Sequence, residues 1–387
     1  MTLTRLKKNT KKKKPSDFLY NKNMAKKEFL ISRWGSFWEY LKKHERHAGV
    51  VAILTGFVWD SLTLVRPDRF FENVTVLSYL LISAGGIILL TTFEKKGKIA
   101  PTILLMAVPF AFGNLAGGLT VLYGHSGTLE GSFLFFLLLG VFIVGNELLR
   151  DRYTRLNFHI SVWYFLLLSY IVLVIPIITG SFGDNIFILS SLISLAIVSG
   201  FLIILFFLSP RKVIDAIRKT VFSIVAIFAS FNVLYFLNII PPVPLSLREI
   251  GIYHTIERAD NGNYKVLYEK PDWYLFLRDT SAIFTRVSDE KAYCFSSVFA
   301  PVGLTTAIYH RWEYYGADKK KWQTATLVSF PIIGGRESGY RGYSEKLDIS
   351  AGRWRCSVET ERGALIGRTT FGVVESKTTP TLYEKEF

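Results

Sequence analysis

The stretch Ile186–Leu208 reads IFILSSLISLAIVSGFLIILFFL and contains no charged residue. As a helix it would be about 35 Å long, enough to cross the ~30 Å hydrocarbon layer of a bilayer. Similar runs occupy residues 48–65, 74–93, 101–123, 132–149, 160–179 and 220–240. One soluble core helix can be apolar on every side, but seven such runs in succession are not a soluble pattern. Half of the 387 residues are hydrophobic and 15% are aromatic, which agrees. The expected class is a membrane all-α bundle of about seven transmembrane helices over residues 48–240. A basic cytoplasmic tail, 1–47, precedes it. An extracytoplasmic, all-β, sandwich-like domain, 241–387, follows.

The loops between the runs set the expected orientation. Lys11 to Lys14, Lys42 and Lys43 precede the first run, Lys95, Lys96 and Lys98 follow the second, and Arg150, Arg152 and Arg155 follow the fourth. Arg211, Lys212, Arg218 and Lys219 lie between the sixth and seventh. The alternate loops hold only Arg66 and Arg69, then no Lys or Arg around His125 or Asp184. Basic loops stay in the cytoplasm, so the N-terminus is expected inside and the C-terminal domain outside. The formal charge of +15 is concentrated before Leu245. It reads as a topology signal, with possible contact to anionic lipid, and no nucleic-acid partner is expected. The hydrophilic lead is too long for a cleavable signal peptide, so the first span is expected to direct insertion.

Pro241, Pro242 and Pro244 end the last run and suggest a short stiff linker. Beyond them the apolar period falls from long runs to two. Strands are expected over 292–300, 305–315, 322–331, 340–349, 353–360 and 365–374, broken by Gly, Pro and Asp. Residues 272–284 fit either a strand or a surface helix. Alternation puts His310, Trp312 and Tyr314 on one face of their strand and Tyr309, Arg311 and Glu313 on the other. It also groups Trp354, Cys356 and Val358 toward the core, with Arg353, Arg355 and Glu359 outward.

Several elements are distinctive together: His310-Arg311-Trp312, Gly335-Arg336-Glu337-Ser338-Gly339-Tyr340-Arg341, and Gly352-Arg353-Trp354-Arg355. With them, the last hundred or so residues resemble a bacterial domain of unknown function that commonly ends multispanning inner-membrane proteins. The resemblance implies an envelope location, supplies no activity, and departs at Cys356, where an aliphatic residue is expected.

Three groups of candidate residues follow. Cys294 and Cys356, the two cysteines, share a compartment that permits a disulfide, or they are separate buried thiols. His310 and Trp312, with Arg336 and Arg341 nearby, form either a platform for an anionic sugar or lipid head group or a core pair. Asp60, Asn114 and Glu147 are polar positions in the apolar region, marking a polar pocket or simple helix–helix hydrogen bonds. No His/Cys cluster has ligand spacing, and no P-loop, nucleophile elbow or HExxH occurs, so neither metal nor cofactor is expected. Three functions remain open: an envelope protein presenting its β-domain to a protein, glycan or lipid; a transporter or channel centred on Asp60; and a membrane enzyme acting on a lipid-linked substrate.

Overall fold

The computed structural model describes residues 58, 62, 64, 66–95, 102–128, 132–137 and 156–387, save 261, 274–277, 279, 289 and 317. The basic tail, Asp60, Glu147 and most of the first and fourth expected spans lie outside them.

Five described helices are long and apolar enough to cross a membrane. They are α1 (Phe70–Lys95), α2 (Thr102–Gly124), α3 (Leu156–Thr179), α4 (Asp184–Leu208) and α5 (Pro210–Phe236). Helix α3 is the centre of the bundle, buried along most of its length, whereas α4 and α5 leave most of their apolar side chains exposed. Two buried ring donors tie the helices together through backbone carbonyls. Trp163 Nε1 donates to the Leu80 carbonyl at 3.1 Å and the Tyr123 hydroxyl to that of Ser169 at 2.7 Å.

The last span differs from expectation. It begins at Pro210, ten residues before the predicted start, and Ser209 alone separates it from α4. Proline suits the first helical turn because its missing N–H would have no partner there. Arg211, Lys212, Arg218 and Lys219 are therefore helical residues and not a loop.

The chain after α5 is β-rich, with eleven described strands. They are β1 (Ser246–Tyr253), β2 (Thr255–Arg258), β3 (Tyr264–Tyr268), β4 (Ile283–Val287), β5 (Ala292–Phe299) and β6 (Thr305–Gly316), followed by β7 (Lys321–Ile333), β8 (Tyr340–Lys346), β9 (Gly352–Thr360), β10 (Leu365–Ser376) and β11 (Tyr383–Glu386). They form three sheets, ordered β1-β5-β8, β4-β10-β9-β6-β7 and β11-β3-β2. Only β4–β10 pairs in parallel. The first two sheets share their apolar clusters: Ile252 and Cys294 of one meet Trp312, Trp354, Cys356 and Phe371 of the other. The third sheet packs through Tyr253, Val266 and Phe295, with Phe387 stacked 4.7 Å from Phe295.

The β-region is fastened to one end of the bundle. Arg362, in the β9–β10 turn, reaches Asp184 Oδ2 at 2.6 Å, and the Tyr235 hydroxyl reaches Asp184 Oδ1 at 3.1 Å. The Arg362 guanidinium also lies about 5 Å from the rings of Tyr235 and Phe236. Asn238 donates to the Arg362 carbonyl at 2.9 Å. A second tie joins Ser181 to Thr305 at the start of β6. Residues 240–246 are buried, and Pro241 packs against Gly127. The proline segment is thus part of this junction, in place of the free stiff linker that its composition suggested.

Candidate functional site

The four candidate platform residues do not converge. His310 and Trp312 are fully buried. His310 uses both ring nitrogens, Nε2 to Ser296 Oγ at 2.7 Å and Nδ1 to Ser344 Oγ at 2.9 Å, and Trp312 Nε1 donates to the same Ser344 oxygen at 2.9 Å. A ligand cannot reach them, so the platform expectation is corrected: the pair is a polar pin inside the core. Arg336 is exposed in the β7–β8 turn, 5.7 Å from the Tyr340 ring. Arg341, on edge strand β8, lies 3.4 Å from Asn263 Oδ1. Asn114 is buried and donates to the Phe110 carbonyl of its own helix at 2.8 Å; Asp60 and Glu147, its expected companions, lie outside the described residues.

Cys294 and Cys356 are joined by a disulfide, with Cα atoms 6.5 Å apart. The bond links β5 of one sheet to β9 of another. His310 lies close to both sulfurs. The sulfurs are bonded to each other and the imidazole nitrogens are engaged by serines, so this group offers no open metal ligand.

The opposite face of the five-stranded sheet carries a different assembly. Strand β6 leaves the junction at Thr305 and turns at Gly316, about 40 Å along at 3.3 Å per residue. At that far end Tyr315 and Trp322 pack edge to face, ring centres 5.2 Å apart. Arg353 lies 5.4 Å from the Tyr315 ring and Arg355 4.4 Å from the Trp322 ring. Arg355 also grips Glu313 with two hydrogen bonds, one of them Nη2 to Oε1 at 2.9 Å. The exposed turn beside them adds Lys319, Lys320 and Lys321. Cations stacked on aromatic rings, with a carboxylate fixing one of them, suit an anionic, ring-bearing ligand.

Two local features build this cluster. The register of β7 against β6 passes from Trp312↔Thr326 to Glu313↔Thr324, so Ala325 is an extra residue. Such a bulge reverses the alternation beyond it, and Trp322 turns outward beside Tyr315 when unbroken pairing would send it into the core. Gly352, at φ 133°, starts β9 where a Cβ would stand 2.9 Å from the Tyr314 ring. Only glycine takes that backbone and that space.

A second polar cluster lies between β1 and β4. His254 is buried, with Nδ1 2.7 Å from Glu290 Oε1 and Nε2 3.1 Å from Glu269 Oε1. Burial opposes its charge, but hydrogen bonds to the two carboxylates outweigh that and raise its pKa. For His310, burial alone pushes the pKa down to about 3. The signs therefore oppose. A raised histidine contributes stability that is full below pH ~6.5 and lost as pH rises through its folded pKa. A depressed one stays neutral in the fold while the unfolded chain protonates, so stability falls as pH drops below ~6.5, by about 1.4 kcal/mol per pH unit. Thermal melting of the full chain across pH 4–9 should peak near neutrality. His254→Gln should flatten the alkaline limb. The difference between wild type and His310→Gln should be a constant offset from the lost ring contacts above pH ~6.5 and should change with pH only on the acid limb. Equal acid limbs would show that His310 does not titrate as described.

A family described as a protein of unknown function (DUF2914) matches residues 305–373, from β6 into β10. A domain of unknown function thus lies in the C-terminal region, and it contains the arginine–aromatic cluster. No curated protein matches the chain. Among solved structures, the Pseudomonas fluorescens alkylpurine DNA glycosylase AlkC bound to DNA containing an abasic site analog aligns over 80% of this chain and 100% of its own. The identity is 12% and the TM-score 0.22, too low for a common fold.

Alternation along the strands already turned Arg353 and Arg355 outward and set Glu313 on the face opposite His310 and Trp312. It did not single out Tyr315, and it missed Trp322 because the bulge that turns this ring outward leaves no mark in the periodicity.

Proposed function

We propose that this chain is a multispanning bacterial inner-membrane protein that presents a β-sandwich outside the cytoplasm to recognise an acidic envelope glycan. On this reading about seven helices span the membrane, the N-terminus is cytoplasmic and the protein acts by binding, without chemistry of its own. The observation that carries it is the Tyr315–Trp322–Arg353–Arg355 cluster, about 40 Å along the strands from the junction with the bundle. Aromatic faces stack on sugar rings, and arginines grip carboxylate or phosphate groups in pairs of hydrogen bonds. The helix ends that meet the β-region adjoin the loops poor in Lys and Arg, which supports the outward orientation.

Orientation is tested with reporters fused after Phe387. Alkaline phosphatase should be active and green fluorescent protein dark; the reverse pattern rejects the outward domain. Recognition is tested by retention of the full-length protein in detergent on immobilised alginate, with neutral dextran as control. Wild type should bind alginate selectively at low salt. Trp322→Ala and Arg353→Gln should each weaken that binding about tenfold, the worth of one charge-assisted or stacking contact. Equal retention on dextran, or variants that bind like wild type, would sink the glycan reading.

A further inference from the structure

A second group of cations lies at the opposite end of the β-region, where it meets the helices. Arg66, just before α1, is fully engaged. Its Nε and Nη2 reach the two Asp68 oxygens at 3.0 and 2.7 Å, and its Nη1 reaches Glu337 Oε1 at 2.9 Å. Its guanidinium carbon lies 4.7 Å from the centre of the buried Phe299 ring. Arg248 of β1 lies 5.3 Å from the same centre. Two like charges therefore share one ring, but only Arg66 has carboxylates bound to it. Among the described residues Arg248 makes no ion pair, and it is exposed. Arg69 is half-exposed and only 4.0 Å from Glu72, which leaves most of its donors free.

The surroundings say what anion fits. Phe70 and Phe71, the first residues of α1, are 74% and 81% exposed. Exposed phenylalanines at the end of an apolar helix suit acyl chains, and arginines beside them suit the head-group layer. Arg248 follows the last span by only twelve positions, through a buried proline segment that holds it at that boundary. Guanidinium groups match phosphate oxygens in paired hydrogen bonds.

We propose that Arg248 and Arg69 bind the phosphate of an anionic phospholipid in the leaflet on the β-region side, with Phe70 and Phe71 against its acyl chains. This inference rests on the helices being membrane spans, and it is independent of the glycan site.

The test uses the full-length protein in a neutral detergent, followed by native mass spectrometry and thermal melting. The probes are phosphatidylglycerol, phosphatidylcholine and inorganic phosphate. Wild type should retain phosphatidylglycerol about tenfold more tightly than phosphatidylcholine, the worth of one charge-assisted contact, and melt at a higher temperature with it. Arg248→Gln and Arg69→Gln should each lose that preference. Arg353→Gln, at the far end of the strands, should keep it, which separates failure here from failure of glycan recognition. If Arg248→Gln does not fold, Arg69→Gln carries the test, because its half-exposed side chain is not needed for packing. Equal retention of the two lipids would overturn the proposal, as would wild-type retention by both folded variants. Protection by inorganic phosphate at the same concentration would assign the site to a soluble anion and also overturn it.

Discussion

Trp312→Ala should unfold the β-region of the full-length protein while leaving the helices folded. Among the described residues Trp312 is the largest fully buried side chain. It packs against Phe371, ring centres 6.3 Å apart, and belongs to the cluster that joins two sheets. Truncating a buried tryptophan costs about 3–5 kcal/mol, because the cavity is only partly refilled. Here the loss is compounded. Ser344 Oγ bonds to both Trp312 Nε1 and His310 Nδ1, so it loses one of its two ring partners. A domain with a stability of 5–15 kcal/mol does not tolerate much of this. Trp354, 3% exposed and with its Nε1 bonded to the Ser350 carbonyl at 2.8 Å, should behave similarly. The measurement is thermal melting followed by limited proteolysis. Fragments ending before the β-region should accumulate from Trp312→Ala at temperatures where wild type is resistant. Wild-type resistance would mean that β6 is assigned to the wrong face.

Loss of the Cys294–Cys356 bond should have an effect of similar size. The cysteines are 62 residues apart, and in the chain-entropy account closing a loop of that length stabilises by about 4 kcal/mol. Both sulfurs are fully buried, so reductant should act slowly on the folded protein and rapidly once it opens. Replacing both cysteines with alanine should lower the melting temperature of the β-region by roughly 15 °C if the bond contributes as the loop length implies. A shift of only a few degrees would mean that the reduced chain keeps most of its structure. Thiol labelling before and after reduction gives the complementary readout. Wild type should label only after both reduction and unfolding.

How much of this was legible beforehand depended on what each residue answers to. Apolar spans are conspicuous because in lipid every backbone group must be satisfied within the helix, which demands long unbroken runs. The start of α5 was hidden because its first turns are charged. Arg211, Lys212, Arg218 and Lys219 read as a loop, while Pro210 at the first helical position reads equally as a break. Strands β5 to β10 announced themselves by alternation. By contrast β2, β3 and β11 are short, and β3 pairs with residues more than a hundred positions away, a contact that no local pattern encodes. His310 is the instructive case. Period two grouped it with Trp312, as the structure does, but parity alone cannot tell an inward face from an outward one. The nearby arginines suggested the surface, and the two serines that hydrogen-bond the ring in the core, Ser296 and Ser344, come from another sheet.

The Arg362 contact has a mechanical meaning. One guanidinium is held by a carboxylate at the start of α4 and by two rings at the end of α5, while its own backbone forms the turn between two central strands. The strands are stiff, and the two helices are joined at their far end by a single residue. The arrangement is a lever. Its long arm is the five-stranded sheet, whose β6–β7 turn carries Lys319 to Lys321, its fulcrum is Arg362 in the β9–β10 turn of the same sheet, and its short arm is the α4–α5 hairpin. Cutting the fulcrum with Arg362→Ala would leave both arms folded and loosen the coupling of their tilts, with the Ser181–Thr305 tie and the buried proline segment still in place. Sideways load at the lysine-bearing tip would then reach Arg211 and Lys212 at the other end of the helices more weakly.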